Sequence, residues 1–85
     1  MDIEKLQTDL EKACSQAVST FQQHQSEETH SAAYAKLDGL FRGAMVVLRV
    51  AGYNVIDGNE GRIVRRVVEH FQAELLKDFP VEYRG

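Results

Sequence analysis

The stretch that decides the fold of this chain is residues 37–52, which read LDGLFRGAMVVLRVAG. Apolar side chains recur there at steps of three and four, which is the period of an α-helix. Residues 44–48 are apolar nearly all round, as is typical of a central helix that packs on more than one neighbour. Gly52 is expected at the left-handed position just past the helix end. We therefore predict a central helix over about residues 27–51, with Ser26 as its N-cap.

The segments on either side of this helix carry the same helical pattern. One apolar stripe predicts a helix over about residues 2–23, and another predicts a helix over about residues 58–77. Asp57 and Glu60 match a capping box at the start of the last helix, and Asn59 is the competing cap. Both flanking helices should therefore pack their stripes against the central one.

The connections between the three predicted helices are short, so antiparallel neighbours are the default. We predict an all-α fold in which residues 1–85 form one domain, a three-helix up-down-up bundle with a short C-terminal tail at residues 79–85. A chain of this length has a thin core. The apolar central helix leaves open whether dimerisation completes the bundle.

Composition limits the classes of function. Cys14 is the single cysteine, which excludes an intramolecular disulfide and favours a reducing compartment. The first residues do not resemble a secretory signal and no apolar run is long enough to span a membrane, so we expect a cytoplasmic protein with no membrane association. The three histidines lack the spacing of metal ligands, so we expect no metal and no cofactor.

Small residues recur at every fourth position of the central helix, at Ala35, Gly39 and Gly43. Each glycine inside a helix costs about 1 kcal/mol relative to alanine, so we expect a compensating contact. One interpretation is packing within the chain, with the first helix lying in the groove that these residues form. The other is an interface with a second copy or with a protein partner.

The net charge of the whole chain is −3, but residues 31–66 hold six basic and three acidic side chains. Arginine guanidinium groups bind phosphate well, so a local basic patch could bind an anion or a nucleic acid. The alternative is a solvated face with ion pairs such as Arg65–Glu69. The candidate anion-binding residues are Arg42, Arg49, Arg62 and Arg66.

An arginine and a histidine lie close in sequence on the last helix, at Arg65 and His70. Histidine exchanges protons near neutral pH, and arginine binds phosphate and stabilises negative charge. Residues 34–70, with the turn at residues 51–54, resemble the helix-turn-helix hairpin of the HEPN superfamily. These are small all-α domains, often dimeric, and some are metal-independent ribonucleases with an Arg-x(4–6)-His motif and a polar residue after the arginine. The resemblance implies Arg65 and His70 as catalytic residues, with Arg66 as the polar residue.

No complete catalytic set is present in the sequence, so a non-enzymatic role is the leading prediction. We predict an interaction module that self-associates and regulates or inhibits a macromolecular partner. A ribonuclease of the HEPN type, or an inactive relative, is the first alternative. A nucleic-acid binder that uses the arginine patch is the second.

Overall fold

A computed structural model describes residues 2–77 and contains three helices in this range. Helix α1 spans Ile3–Gln23, helix α2 spans Glu27–Val50 and helix α3 spans Asn59–Lys77. Each helix packs against both of the others. The all-α three-helix bundle is therefore confirmed. The predicted tail at residues 79–85 lies outside the described residues.

Side chains cap the first two helices, that of Asp2 before α1 and that of Ser26, the predicted cap, before α2. The Asp2 side chain accepts a hydrogen bond from the Lys5 backbone N–H at 3.1 Å. The Ser26 hydroxyl accepts one from the Thr29 backbone N–H at 3.1 Å, and the Ser26 N–H donates to the Thr29 hydroxyl at 2.9 Å. These bonds satisfy backbone donors that have no partner within the helix.

Helix α2 ends in a complete Schellman motif. Gly52 has a φ of +95°, the left-handed conformation that favours glycine. Its N–H donates to the Arg49 carbonyl at 3.0 Å, and the Tyr53 N–H donates to the Leu48 carbonyl at 3.0 Å. Tyr53 packs against the hydrophobic core, as such a motif requires. The predicted glycine stop is confirmed.

The predicted capping box at the start of α3 is wrong. The helix begins at Asn59, and the carbonyl of Gly58 accepts the first helical bond, from the Arg62 N–H at 3.4 Å. Gly58 therefore occupies the cap position, and Asp57 lies one residue before it.

The side chain and backbone of Asn54 explain this difference. The Asn54 side-chain oxygen accepts hydrogen bonds from the backbone N–H groups of Ile56 and Asp57, at 3.0 and 3.1 Å. The Gly58 N–H donates to the Asn54 carbonyl at 2.9 Å. A Cβ atom on residue 58 would collide with the same carbonyl oxygen. The turn that Asn54 forms thus fixes the backbone up to Gly58, and Asp57 does not occupy the cap position.

Contacts at one end of the bundle fix the helix directions. The Phe21 ring, near the end of α1, meets the His30 ring edge-on at a centroid distance of 5.2 Å. His30, in the first turn of α2, also bonds through Nε2 to the Leu75 carbonyl at 3.1 Å. Since a carbonyl only accepts, Nε2 donates. The ends of α1 and α3 therefore lie beside the start of α2, which is the predicted up-down-up order.

Between residues 2 and 77, no helix is both long and apolar enough to cross a membrane.

The hydrophobic core contains side chains from all three helices. Fully buried side chains include one from the middle of each helix, such as Cys14, Leu37 and Val64. The remaining buried hydrophobic residues are Leu10, Val18, Phe21, Ala33, Ala44, Met45, Leu48, Val67, Val68 and Leu75.

Burial raises the pKa of the Cys14 thiol, because an apolar surrounding disfavours the thiolate. We expect the native protein to react with a thiol reagent at least about 100-fold more slowly than the protein unfolded in urea. A cysteine introduced at the exposed Ala73 gives the reference rate. Because the pKa of Cys14 is higher in the folded than in the unfolded protein, the neutral thiol stabilises the fold fully below about pH 8.5. This stabilisation is lost as the pH rises through the pKa of Cys14 in the folded protein. Equal rates in native and unfolded protein would contradict the burial of Cys14.

Candidate functional site

The side of α2 that points away from the core is apolar. At about 100° per residue, seven exposed residues fall within an arc of about 80°; Glu28 lies at the N-terminal end, and the other six are apolar or glycine. Val50 is 82% exposed and Val46 is 53% exposed. We call this surface the α2 outer face, and it consists of Ala32, Ala35, Gly39, Gly43, Val46 and Val50.

Within residues 2–77, the structure places no other segment against Gly39 or Gly43. A Cβ atom built on Gly39 or Gly43 meets no atom within 4 Å beyond its own helix and chain neighbours, and Ala35 is exposed. Helix α1 instead packs on the opposite side of α2, where Ala33, Leu37 and other core residues lie. The first helix therefore does not lie in the groove of these small residues, and the interface interpretation stays a prediction.

The open space at Gly43 leads to a stability prediction. Replacing Gly43 by alanine adds a methyl group that, in the described part of the chain, meets no atom outside its own helix, and it removes the flexibility of a helical glycine. We expect Gly43→Ala to raise the free energy of unfolding by about 1 kcal/mol in dilute protein, measured by urea unfolding. A decrease instead would show that the Gly43 backbone is already covered by other parts of the same chain.

Charged side chains lie at the N-terminal end of the α2 outer face and along one of its edges. Glu28 lies at its N-terminal end, and Arg49 lies beside it at the C-terminal end. Between them Arg42 forms an ion pair with Asp38, with 3.1 Å between Nε and a carboxylate oxygen. Acidic charge therefore comes first along α2 and basic charge last.

A groove between α1 and α2 adjoins the other edge of the outer face. It has a volume of about 700 Å³ and is lined by residues of both helices, including Ala17, Phe21 and Leu40. Ala32 belongs to both the groove and the α2 outer face. Ala32 thus connects the α2 outer face with a groove whose lining mixes apolar side chains with polar ones such as Lys36.

The predicted anion-binding arginines are all exposed, but the structure does not gather them around one pocket. Arg42 is paired with Asp38, and Arg49 lies near the end of α2. Arg62 lies in the first turn of α3, near the same end of the bundle, and Arg66 lies one turn further along α3. In the described part of the chain Arg65 forms no ion pair with Glu69. Ion pairs there include Lys5–Asp9, Asp38–Arg42 and Glu74–Lys77.

Arg65 and His70 are both exposed and lie on different flanks of α3. Five residues of helix separate their side chains by about 140°, so a single α3 does not bring them together. The His70 ring meets the Phe71 ring edge-on at 5.1 Å. Within residues 2–77, no group of three or more His, Cys, Asp or Glu side chains is placed to hold a metal ion.

Comparisons with protein-family models, with curated proteins and with solved structures gave no match. The HEPN resemblance and the catalytic role of Arg65 and His70 therefore stay predictions. The candidate site is argued from the geometry of the chain alone.

Val46 and Val50 belong to the candidate surface, which was not predicted from the sequence. Val46 lies in the apolar run at residues 44–48 that was expected to pack on neighbouring helices. The signal that could have found them is their spacing, because they lie seven residues after Gly39 and Gly43. Two helical turns put these pairs on one face.

Proposed function

We propose that this protein is a small helical interaction module that acts in the cytoplasm. The α2 outer face is its docking surface, and docking regulates or inhibits the macromolecule that is bound. The observation that carries the proposal is the exposure of Val46 and Val50 in line with Gly39 and Gly43. A contiguous apolar patch rimmed by charges is typical of a protein-interaction site.

The composition of the α2 outer face supports a helix as the docking element. The small residues Ala35, Gly39 and Gly43 leave a shallow channel, which lets another helix approach to about 8 Å between axes. Two glycines in a helix cost about 2 kcal/mol in the isolated chain, and contacts made on docking would offset this cost. The valines at the end of the face supply the larger apolar contacts.

A photo-crosslinking experiment tests the proposed docking surface. A photoreactive side chain at residue 43 is compared in living cells with the same group at residue 73, an exposed position on α3. We expect a covalent adduct with a protein at residue 43 and little at residue 73. The mass of the adduct tells whether it contains a second copy or another protein.

The same experiment can overturn the proposal. Equal adduct yields at residues 43 and 73, or none at either, would show that the α2 outer face is not a preferred contact surface.

The four exposed arginines favour nucleic-acid binding as a second candidate function. Binding through Arg42, Arg49, Arg62 and Arg66 would weaken steeply as salt is raised, because counterions are released from the phosphates. We would then expect the affinity for RNA or DNA to fall when Arg62 and Arg66 are replaced by alanine. No binding at low salt would exclude this function.

Ribonuclease activity is the other alternative. Because one α3 holds Arg65 and His70 on different flanks, catalysis needs a second copy or a neighbouring helix to complete the site. Incubating RNA with the wild-type protein and with His70→Ala tests this directly. Equal RNA cleavage by the two proteins would remove the catalytic role of His70.

A further inference from the structure

We propose that the occupant of the α2 outer face is a second copy of this chain, with the two α2 helices antiparallel and crossing at Gly39. This inference rests on the proposed function, since it takes the same face as the docking surface. It adds the identity of the partner and the direction of the helix.

The α2 outer face matches a second copy of itself in the sizes of its side chains. In an antiparallel pair centred on Gly39, the numbers of two residues that face each other across the contact add up to about 78. Ala35 then lies opposite Gly43 of the other copy, and Ala32 lies opposite Val46 of the other copy. Small residues thus meet at the centre, Val46 meets Ala32 rather than another valine, and Val50 lies opposite Glu28 of the other copy. The face is self-complementary in size, as a two-fold interface requires.

The charged side chains of α2 decide the relative direction of the two helices. An antiparallel pair places Arg49 beside Glu28 of the other copy and Arg42 beside Asp38 of the other copy. A parallel two-fold pair would instead place Arg49 of the two copies on opposite sides of the contact, far along the helix from Glu28 of the other copy, and would place Glu28 beside Glu28. Like charges facing each other across an interface disfavour association. The order of charges along α2, acidic first and basic last, therefore selects the antiparallel pair.

The helix dipoles favour the same direction. Antiparallel helices place the positive N-terminal end of each beside the negative C-terminal end of the other. Glu28 in the first turn and Arg49 in the last turn are the side chains at these ends. Both electrostatic effects therefore act together.

The length of the contact sets the expected strength. From residue 28 to residue 50 the paired helices run for about 33 Å. One helix pair of this length buries an area at the low end for protein interfaces, below about 1,200 Å² in total. We therefore expect a weak dimer, with a Kd between about 10 µM and about 1 mM.

Sedimentation equilibrium of the purified chain tests the inference, from about 10 µM to about 1 mM. We expect a monomer–dimer equilibrium in this range. Gly39→Glu places two carboxylates together at the centre of the pair, and we expect it to remove the dimer. The control Ala73→Glu adds the same charge on the exposed side of α3 and should leave the Kd unchanged. Circular dichroism should show both variants folded, since a Cβ at Gly39 meets open space.

A charge exchange tests the direction of the helices. We expect Glu28→Arg and Arg49→Glu each to raise the Kd by about 5- to 10-fold, because each replaces two attractive contacts by two repulsive ones. A chain that carries both changes should return to within about threefold of the wild type. The antiparallel arrangement would be overturned if the Kd of the combined variant rises by at least the product of the increases in the two single variants.

A wild-type chain that stays monomeric at about 1 mM, or a Gly39→Glu variant that still dimerises, would overturn the inference. The proposed function fails separately. If the chain is monomeric but residue 43 forms an adduct with a different protein in cells, the face is a docking surface and only its occupant was wrong.

Discussion

Phe21→Ala is expected to lower the free energy of unfolding by about 3–5 kcal/mol, the largest effect of any single truncation that we predict. Phe21 is 1% exposed and its ring lies edge-on against His30. Truncation removes apolar contacts and leaves a cavity where α1 meets the start of α2. An 85-residue domain has about 5–10 kcal/mol of stability in total, so much of the protein should unfold under mild denaturation. Urea unfolding followed by circular dichroism measures the loss.

Val50→Ala is the matched control for this prediction. It also truncates a large apolar residue, but Val50 is 82% exposed and lies outside the core. In dilute protein its effect should stay within about 0.5 kcal/mol. A loss of less than about 1 kcal/mol for Phe21→Ala would contradict the packing of Phe21 between α1 and α2.

Gly61→Ala should destabilise the protein by about 1–3 kcal/mol, the second largest effect. Gly61 is buried in the first turn of α3, where the chain packs against the loop that precedes it. A Cβ atom there would lie 2.5 Å from the Val55 carbonyl oxygen and 3.1 Å from its carbon. These are backbone atoms, which cannot rotate away as a side chain can. The clash therefore outweighs the gain of about 1 kcal/mol that alanine brings to a helix.

Gly43→Ala is the same substitution in α2 and serves as the reference for Gly61→Ala. Because its Cβ meets open space, the two changes should move the midpoint of urea unfolding in opposite directions. A stabilising Gly61→Ala would show that the loop before α3 does not press against the helix as the structure has it.

Local signals in the sequence predicted the helices to within a residue or two. Ser26 and Gly52 set the two ends of α2 through hydrogen bonds to backbone groups a few residues away. Such bonds depend on nearby residues alone, so sequence reasoning could find them. Asp57 failed as a cap because Asn54, three residues earlier, takes up its backbone N–H and turns the chain.

Features that depend on distant contacts were not predictable in this way. His30 ends a polar stretch, yet it is buried, since its Nε2 donates to the Leu75 carbonyl 45 residues away. The stripe of Ala35, Gly39 and Gly43 was found in the sequence, but the pattern does not tell which side of α2 the neighbours occupy. Only the packed bundle shows that this side is open.

The central claim is that the α2 outer face is made to be covered by another α2 helix. The most direct measurement is disulfide formation in a Gly39→Cys variant, compared with Ala73→Cys. A disulfide needs Cβ atoms about 3.5–4.5 Å apart, a distance that two copies reach at Gly39 only if the helices cross there. Cys14 is buried and should not interfere. We predict rapid oxidation of Gly39→Cys to a covalent dimer and slow oxidation of Ala73→Cys; equally slow oxidation of both would contradict the claim.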